Sequence, residues 1–166
     1  MRRGNRSRCL VTLTACLIAI TTPSTINGQT PAQTQPSASD EKPYNIGADG
    51  TVDWATFNGY RRYHASCHVC HGPDGLGSSF GPALIDTLKI QPFEQFLEVV
   101  VNGKQTGEKK MPALGTDFNV MCYINDIYAY LKARSDNAIG RGRPAKYEKK
   151  SEEAAKAEET CMGTSR

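Results

Sequence analysis

Cys67-His68-Val69-Cys70-His71 gathers two thiols and two imidazoles within one short run. Two cysteines at C-x-x-C spacing with a histidine directly after the second form the attachment sequence for a c-type haem. The spacing suits the chemistry. Thiols one helical turn apart reach the two vinyl groups of a single porphyrin, and the adjacent imidazole then lies beneath the iron. A C-x-x-C can also be half of a zinc site or a thioredoxin-like redox pair. Zinc would want a second ligand pair at short spacing, and a redox pair would want a strand–helix–strand context. The chain offers neither. One covalently attached haem c is therefore expected at Cys67 and Cys70, with His71 as an axial iron ligand.

The opposite ligand must come from elsewhere. Met111 lies forty residues after His71, directly before Pro112, which removes a backbone donor and stiffens the approach to iron. A lone methionine is usually core filler. The haem motif and this spacing instead make Met111 the expected sixth ligand. Its rivals are Met121 and His64, the latter expected on a first helix with its side chain in solvent. His68, between the two cysteines, is expected at the surface.

Helices must position these groups. Thr51 or Asp53 can cap a helix running to about Ser66, with Trp54, Phe57, Tyr60 and Tyr63 as its large residues. Residues 72–91 are rich in Gly and Pro and read as loop around a short apolar piece at Ala83-Leu84-Ile85. Pro92 suits the first turn of a second helix, in which Phe93, Phe96, Leu97, Val100 and Val101 recur at helical spacing until Gly103 stops it. A loop over 104–115 carries Lys109-Lys110-Met111-Pro112. A closing helix spans roughly Asn119 to Arg134, with Val120, Ile124, Ile127, Tyr128 and Leu131 on one face. No segment alternates convincingly as strand. The reading is all-α, a domain over residues 44–135 that is marginal for a core by size alone. A buried porphyrin would supply the missing apolar area.

The chain opens with Arg2, Arg3, Arg6 and Arg8, followed by an apolar run from Cys9 to Ile20, too short to span a bilayer comfortably. Residues 1–28 read as a secretory signal, and 29–43, rich in Gln, Thr, Pro and Ser, as a flexible leader. Periplasmic export without stable membrane insertion is expected. Leu13-Thr14-Ala15-Cys16 also resembles a lipoprotein box, but the apolar run continues past Cys16 where a processed lipoprotein turns polar. Four of the 20 Lys and Arg lie in this signal, leaving 16 bases against 17 acids. The apparent basicity belongs to targeting and gives no reason to expect nucleic acid.

Of the six cysteines, Cys9 and Cys16 belong to the signal and Cys67 and Cys70 to the haem, which leaves Cys122 and Cys161. On a continuous closing helix Cys122 falls about 200° from Val120, away from the buried face. An outward cysteine in an oxidising compartment wants a partner. A Cys122–Cys161 disulfide is expected to tie back the polar tail, residues 136–166, otherwise a solvated helix or loose segment with few anchors.

At this level of detail the chain resembles the class I c-type cytochromes. Gly59 and Tyr63, eight and four residues before Cys67, match their small-x-x-x-aromatic element, and Tyr128 matches the aromatic of the closing helix that crosses the first. Pro82 matches the proline whose carbonyl accepts the histidine ring N–H, a bond that fixes the tautomer and raises ligand basicity. The runs His68-Val69-Cys70-His71-Gly72-Pro73-Asp74-Gly75, Met111-Pro112-Ala113-Leu114-Gly115 and Asn119-Val120-Met121-Cys122-Tyr123 resemble more narrowly the methanol-metabolism-related, XoxG-type cytochromes of methylotrophic bacteria. The segment Gly140-Arg141-Gly142-Arg143-Pro144-Ala145-Lys146 fits as well.

The resemblance implies a small cytochrome c fold around one haem. It also implies a monomeric periplasmic electron carrier, not an enzyme, that takes electrons from a PQQ-dependent, lanthanide-type methanol dehydrogenase. A downstream cytochrome c or an oxidase would be the acceptor. Lys89, Lys104, Lys109 and Lys110 are candidate rim charges for docking, or else ordinary solvated surface. A general shuttle for another dehydrogenase is the nearest alternative, and a haem sensor or peroxidase with an open sixth position a more distant one. No nucleophile triad, phosphate loop or carboxylate pair with a site context is visible.

Overall fold

In the computed structural model the described residues are 42–163; the signal, the lipoprotein box and nearly all of the leader lie outside them. Among the described residues no helix is long and apolar enough to cross a membrane. The first helix, α1 (Trp54–Ser66), starts where Asp53 Oδ1 accepts the Thr56 amide at 2.6 Å, so Asp53 rather than Thr51 is the cap. A single turn, α2 (His68–His71), follows almost without interruption. After a loop come α3 (Leu84–Thr87) and α4 (Phe93–Asn102), the latter capped by Pro92 and burying Phe96 and Val100.

The stretch read as loop beyond Gly103 is in part a hairpin. Strand β1 (Lys104–Thr106) pairs antiparallel with β2 (Lys109–Met111), setting Lys104 opposite Met111. Its side chains are exposed along both strands apart from half-buried Met111, so no inside–outside alternation marks it in the sequence. The fold is thus mostly helical with one small two-stranded sheet.

The expected closing helix is two helices. α5 (Phe118–Met121) and α6 (Ile124–Ser135) are separated at Cys122 and Tyr123, where Tyr123 leaves helical geometry at φ −127° and ψ 16°. α1 and α6 form the main helix pair, and Gly59 lies at their crossing. A Cβ there would overlap the Asp126 carbonyl of α6 and sit 2.8 Å from Tyr130 Cβ. Across this contact Tyr63 meets Tyr130, both fully buried, with ring centroids 5.7 Å apart. Tyr128, matched above to the crossing aromatic, packs instead on α4, 5.0 Å from Phe93 and 5.3 Å from Phe96. Two residues along a helix turn a side chain about 200°, so Tyr128 and Tyr130 serve opposite sides of α6.

The tail is not loose. Tyr147 bridges to Val52 and stacks flat on Phe57, with centroids 3.5 Å apart. Lys146 reaches Asp49, and Lys150 lies over the Trp54 ring. In α7 (Glu152–Gly163) the Glu158 carboxylate meets Lys150 at 2.6 Å and Arg62 at 3.8 Å. Cys122 and Cys161 are disulfide-bonded, and the tail runs along α1 between these anchors.

Replacing Gly59 by alanine should cost about 3 kcal/mol or more, because backbone rather than a flexible side chain stands in the way. Urea unfolding of the holoprotein measures this, and a midpoint within error of wild type would show that the helices can separate cheaply. The disulfide closes a sequence separation of 39 residues, which the chain-entropy treatment converts to about 4 kcal/mol. The Cys122→Ser/Cys161→Ser variant should lose stability on that order, and denatured, unreduced holoprotein should titrate no free thiol.

Candidate haem site

α1 delivers the first thiol. The Cys67 amide bonds to the Tyr63 carbonyl at 2.8 Å, and Cys70 and His71 both donate backbone bonds to the Cys67 carbonyl. Cys67 and Cys70 therefore lie three residues apart across one helical turn, and they are not bonded to each other. Cys67 is half-buried against the main core cluster, while Cys70 is exposed. Burial, helped by neighbouring Cys70, pushes the Cys67 thiol up to about 11. Reactive and metal-binding cysteines sit where cations or amides favour the thiolate; this one does not. Among the described residues no group of three or more His, Cys, Asp or Glu side chains is placed to hold a metal ion.

His71 is nearly buried, and its ring is oriented by one bond: Nδ1–H donates to the Pro82 carbonyl at 3.1 Å. That contact leaves Nε2 as the ring nitrogen available to a metal. The loop carrying Pro82 can approach because residue 81 is glycine. A Cβ at Gly81 would lie 3.0 Å from His71 Nδ1 and 2.9 Å from the Cys70 carbonyl. Ser78 fastens the same loop, donating its hydroxyl to Cys70 O at 2.5 Å and accepting the Phe80 amide at 3.0 Å. Val69 of the turn and Phe80 of the fastened loop are both more than 70% exposed.

Met111 ends β2, half-buried on the same core cluster as Cys67. The segment beyond it is pinned to the end of α4, with Leu114 and Gly115 amides donating to Val100 and Val101 carbonyls at 2.9 and 3.2 Å. Its rival Met121 also packs on that cluster. His64, expected in solvent, is half-buried: Nδ1–H donates to the Tyr60 carbonyl at 2.8 Å and Nε2 stands 3.9 Å from Asp74 Oδ1. His68 is half-buried rather than fully exposed, its ring stacked beside that of His64.

Beneath this turn sits a polar knot that the sequence reading missed. The Tyr63 hydroxyl donates to the Gly72 carbonyl at 2.5 Å. Asp74, 5% exposed and in left-handed backbone at φ 58°, accepts from the Gly142 amide at 2.9 Å, Tyr130 Oη at 3.2 Å and Arg141 Nε at 3.3 Å. Burial alone would raise its pKa, but the Gly142 amide, Arg141 and Tyr130 together hold the carboxyl below its ordinary value. Asp74 and Arg141 stand in two of the motifs quoted above. Nothing local joins positions 67 residues apart.

Residues 55–131 match the family of cytochrome c oxidase, cbb3-type, subunit III. The chain is 39% identical over 92 residues to cytochrome c-555 of Methylococcus capsulatus, covering 55% of this chain and 72% of that one. It belongs to the c-type cytochromes. Cytochrome c-553I of Paracoccus denitrificans is 52% identical over 130 residues, 76% of this chain, although the match spans only 58% of that relative's length. The crystal structure of the c-type cytochrome XoxG from Methylobacterium extorquens AM1 superposes with a TM-score of 0.64 at 46% identity, over 75% of this chain and 84% of that one. The architecture is therefore the cytochrome c fold, and the family's cofactor is covalently bound haem c. The relatives are cytochromes c, electron carriers rather than enzymes. The site fits such a group: unpaired thiols on one turn, an imidazole with one nitrogen already engaged, and exposed apolar side chains at Val69 and Phe80 on the turn and the loop fastened to it.

Proposed function

We propose that this protein is exported to the periplasm and carries single electrons from a PQQ-dependent methanol dehydrogenase, of the lanthanide type, to another cytochrome c or an oxidase. The observation that carries the reading is the His71–Pro82 bond beside two free cysteines, because it presents an oriented imidazole next to the two unpaired cysteines of the described residues. In this reading Cys67 and Cys70 would form the thioethers, and His71 Nε2 and Met111 would hold the iron. The haem supplies a one-electron couple. The chain holds both ligands on braced backbone, so little rearranges when charge arrives, and methionine raises the potential relative to a second histidine. The likeness to XoxG supports the choice of donor.

Docking is assigned to the hairpin beside Met111. Lys104, Lys109 and Lys110 are exposed and make no ion pair among the described residues, whereas Lys89 is neutralised by Asp86 at 2.8 Å. Clustered unpaired cations steer an acidic partner, and the steering fades with ionic strength.

Met111→Ala should lower the midpoint potential and abolish the charge-transfer band of methionine-ligated ferric haem, while the thioethers survive denaturation; an unchanged spectrum and midpoint would move the upper ligand elsewhere, Met121 first. Mixed with purified methanol dehydrogenases, the protein should be reduced faster by the lanthanide-dependent enzyme than by the calcium-dependent one. That rate should fall with salt, and replacing the three hairpin lysines by glutamine should flatten the dependence. Equal rates from both enzymes would point to a general shuttle, and a rate indifferent to salt would remove the lysines from the account.

A further inference from the structure

From the polar knot under the His71 turn we infer that Asp74 and Arg141 are a potential-setting pair, with the tail serving as the arm that delivers the cation. Asp74 is three residues beyond His71, in the loop whose Gly77 amide donates to the His71 carbonyl at 2.7 Å. Its carboxylate is 7% exposed as a side chain and Arg141 is 66% exposed. A buried charge acts through protein, whereas one in water is screened. The two members of the pair therefore weigh unequally, the anion more heavily than its partner.

The sign follows from charge alone. Ferric haem carries one positive charge more than ferrous haem, so a nearby buried carboxylate favours the ferric state and lowers the potential. A cation beside that carboxylate offsets part of the effect. Arg141 is held for this role by the two residues that follow it. The next residue's amide is bonded to Asp74 itself, and Arg143 lies over the Phe57 ring at 5.2 Å. Beyond them, Tyr147 and the Cys122–Cys161 bridge fix the remainder of the arm. The other groups facing Asp74 are Tyr130 and Arg134 of α6, and Tyr63 and His64 of α1. Arg134 is buried and spends its Nη1 on the Ile139 carbonyl at 2.8 Å, so its position belongs to the fold. Arg141 reaches Asp74 only through the tail.

The inference rests on His71 holding the iron, and its test separates the two ideas. Asp74→Asn keeps one acceptor oxygen for the Gly142 amide and tolerates the left-handed backbone, while it removes the charge and puts an NH2 where an oxygen meets Arg141. At neutral pH its midpoint should rise. Arg141→Gln should lower the midpoint by a smaller amount, Arg141→Lys should restore most of it, and in the double variant Asp74→Asn/Arg141→Gln the arginine change should have little further effect. Loosening of the loop would push both single variants in the same direction. Two shifts of one sign, or none, would overturn the proposal. Trypsin supplies a readout that does not involve the haem. Cleavage after Arg141 and Lys146 should be no faster in Asp74→Asn than in wild type, and a midpoint shift accompanied by rapid tail cleavage would reassign the effect to a detached arm and sink the charge argument. Unaltered visible spectra in all variants would show that the iron ligands are intact, whereas wild-type protein lacking covalent haem would refute the underlying reading before any potential is measured.

Discussion

The rest of the molecule depends on the contact between α1 and α6 at Gly59, where a helix backbone with no side chain meets the carbonyl of Asp126. Because the helices touch there, Tyr63 and Tyr130 are driven into one buried aromatic pair, and their hydroxyls reach the turn that follows the cysteines. Tyr63 takes the Gly72 carbonyl and Tyr130 takes the Asp74 carboxylate. Burial raises both phenols well above their ordinary range, so they remain donors across any physiological pH. The helix crossing thus continues directly into the ligand loop. A side chain at position 59 would be felt at His71.

What could be read from the sequence was whatever the chemistry keeps local. The attachment motif is five residues long, and the helix over Phe93–Asn102 announces itself by an apolar stripe, a proline before it and a glycine after it. The helix begins and ends where expected, and the motif's two cysteines stand unpaired across one turn. The hairpin was invisible because two three-residue strands with outward side chains contain no alternation to detect. The break between α5 and α6 was hidden for a related reason: Val120, Ile124 and Ile127 keep helical spacing across it, so periodicity runs on where the backbone does not. The difference between Tyr128 and Tyr130 is a choice of helix face, settled only once Gly59 shows which side of α6 approaches α1. Pairings at long separation are the other gap. The Asp74–Arg141 contact joins two runs that each look like ordinary turn and tail composition.

The tail shows how polar composition misleads. Residues 146–160 are rich in Ala, Glu and Lys, which suits solvated helix. Their anchoring comes from a few specific contacts instead of an apolar stripe: one stacked ring pair, cations over aromatic faces, and one carboxylate shared by two bases. Individually, exposed ion pairs contribute little. Their effect here comes from being closed into a loop by a covalent bond, which raises the local concentration of every partner on the arm.

That covalent bond also bears on how the protein is made. Four cysteines in an oxidising compartment can pair three ways. Two of those pairings would cross-link Cys67 and Cys70 to the helical break and the tail, the third would join them to each other, and each would consume the sulfurs proposed to anchor a porphyrin. Once Cys67 and Cys70 are committed to thioethers, only Cys122–Cys161 remains possible, so the prosthetic group acts as a protecting group for the oxidation that follows. Attaching the group before the remaining thiols oxidise would thus remove the wrong pairings in advance.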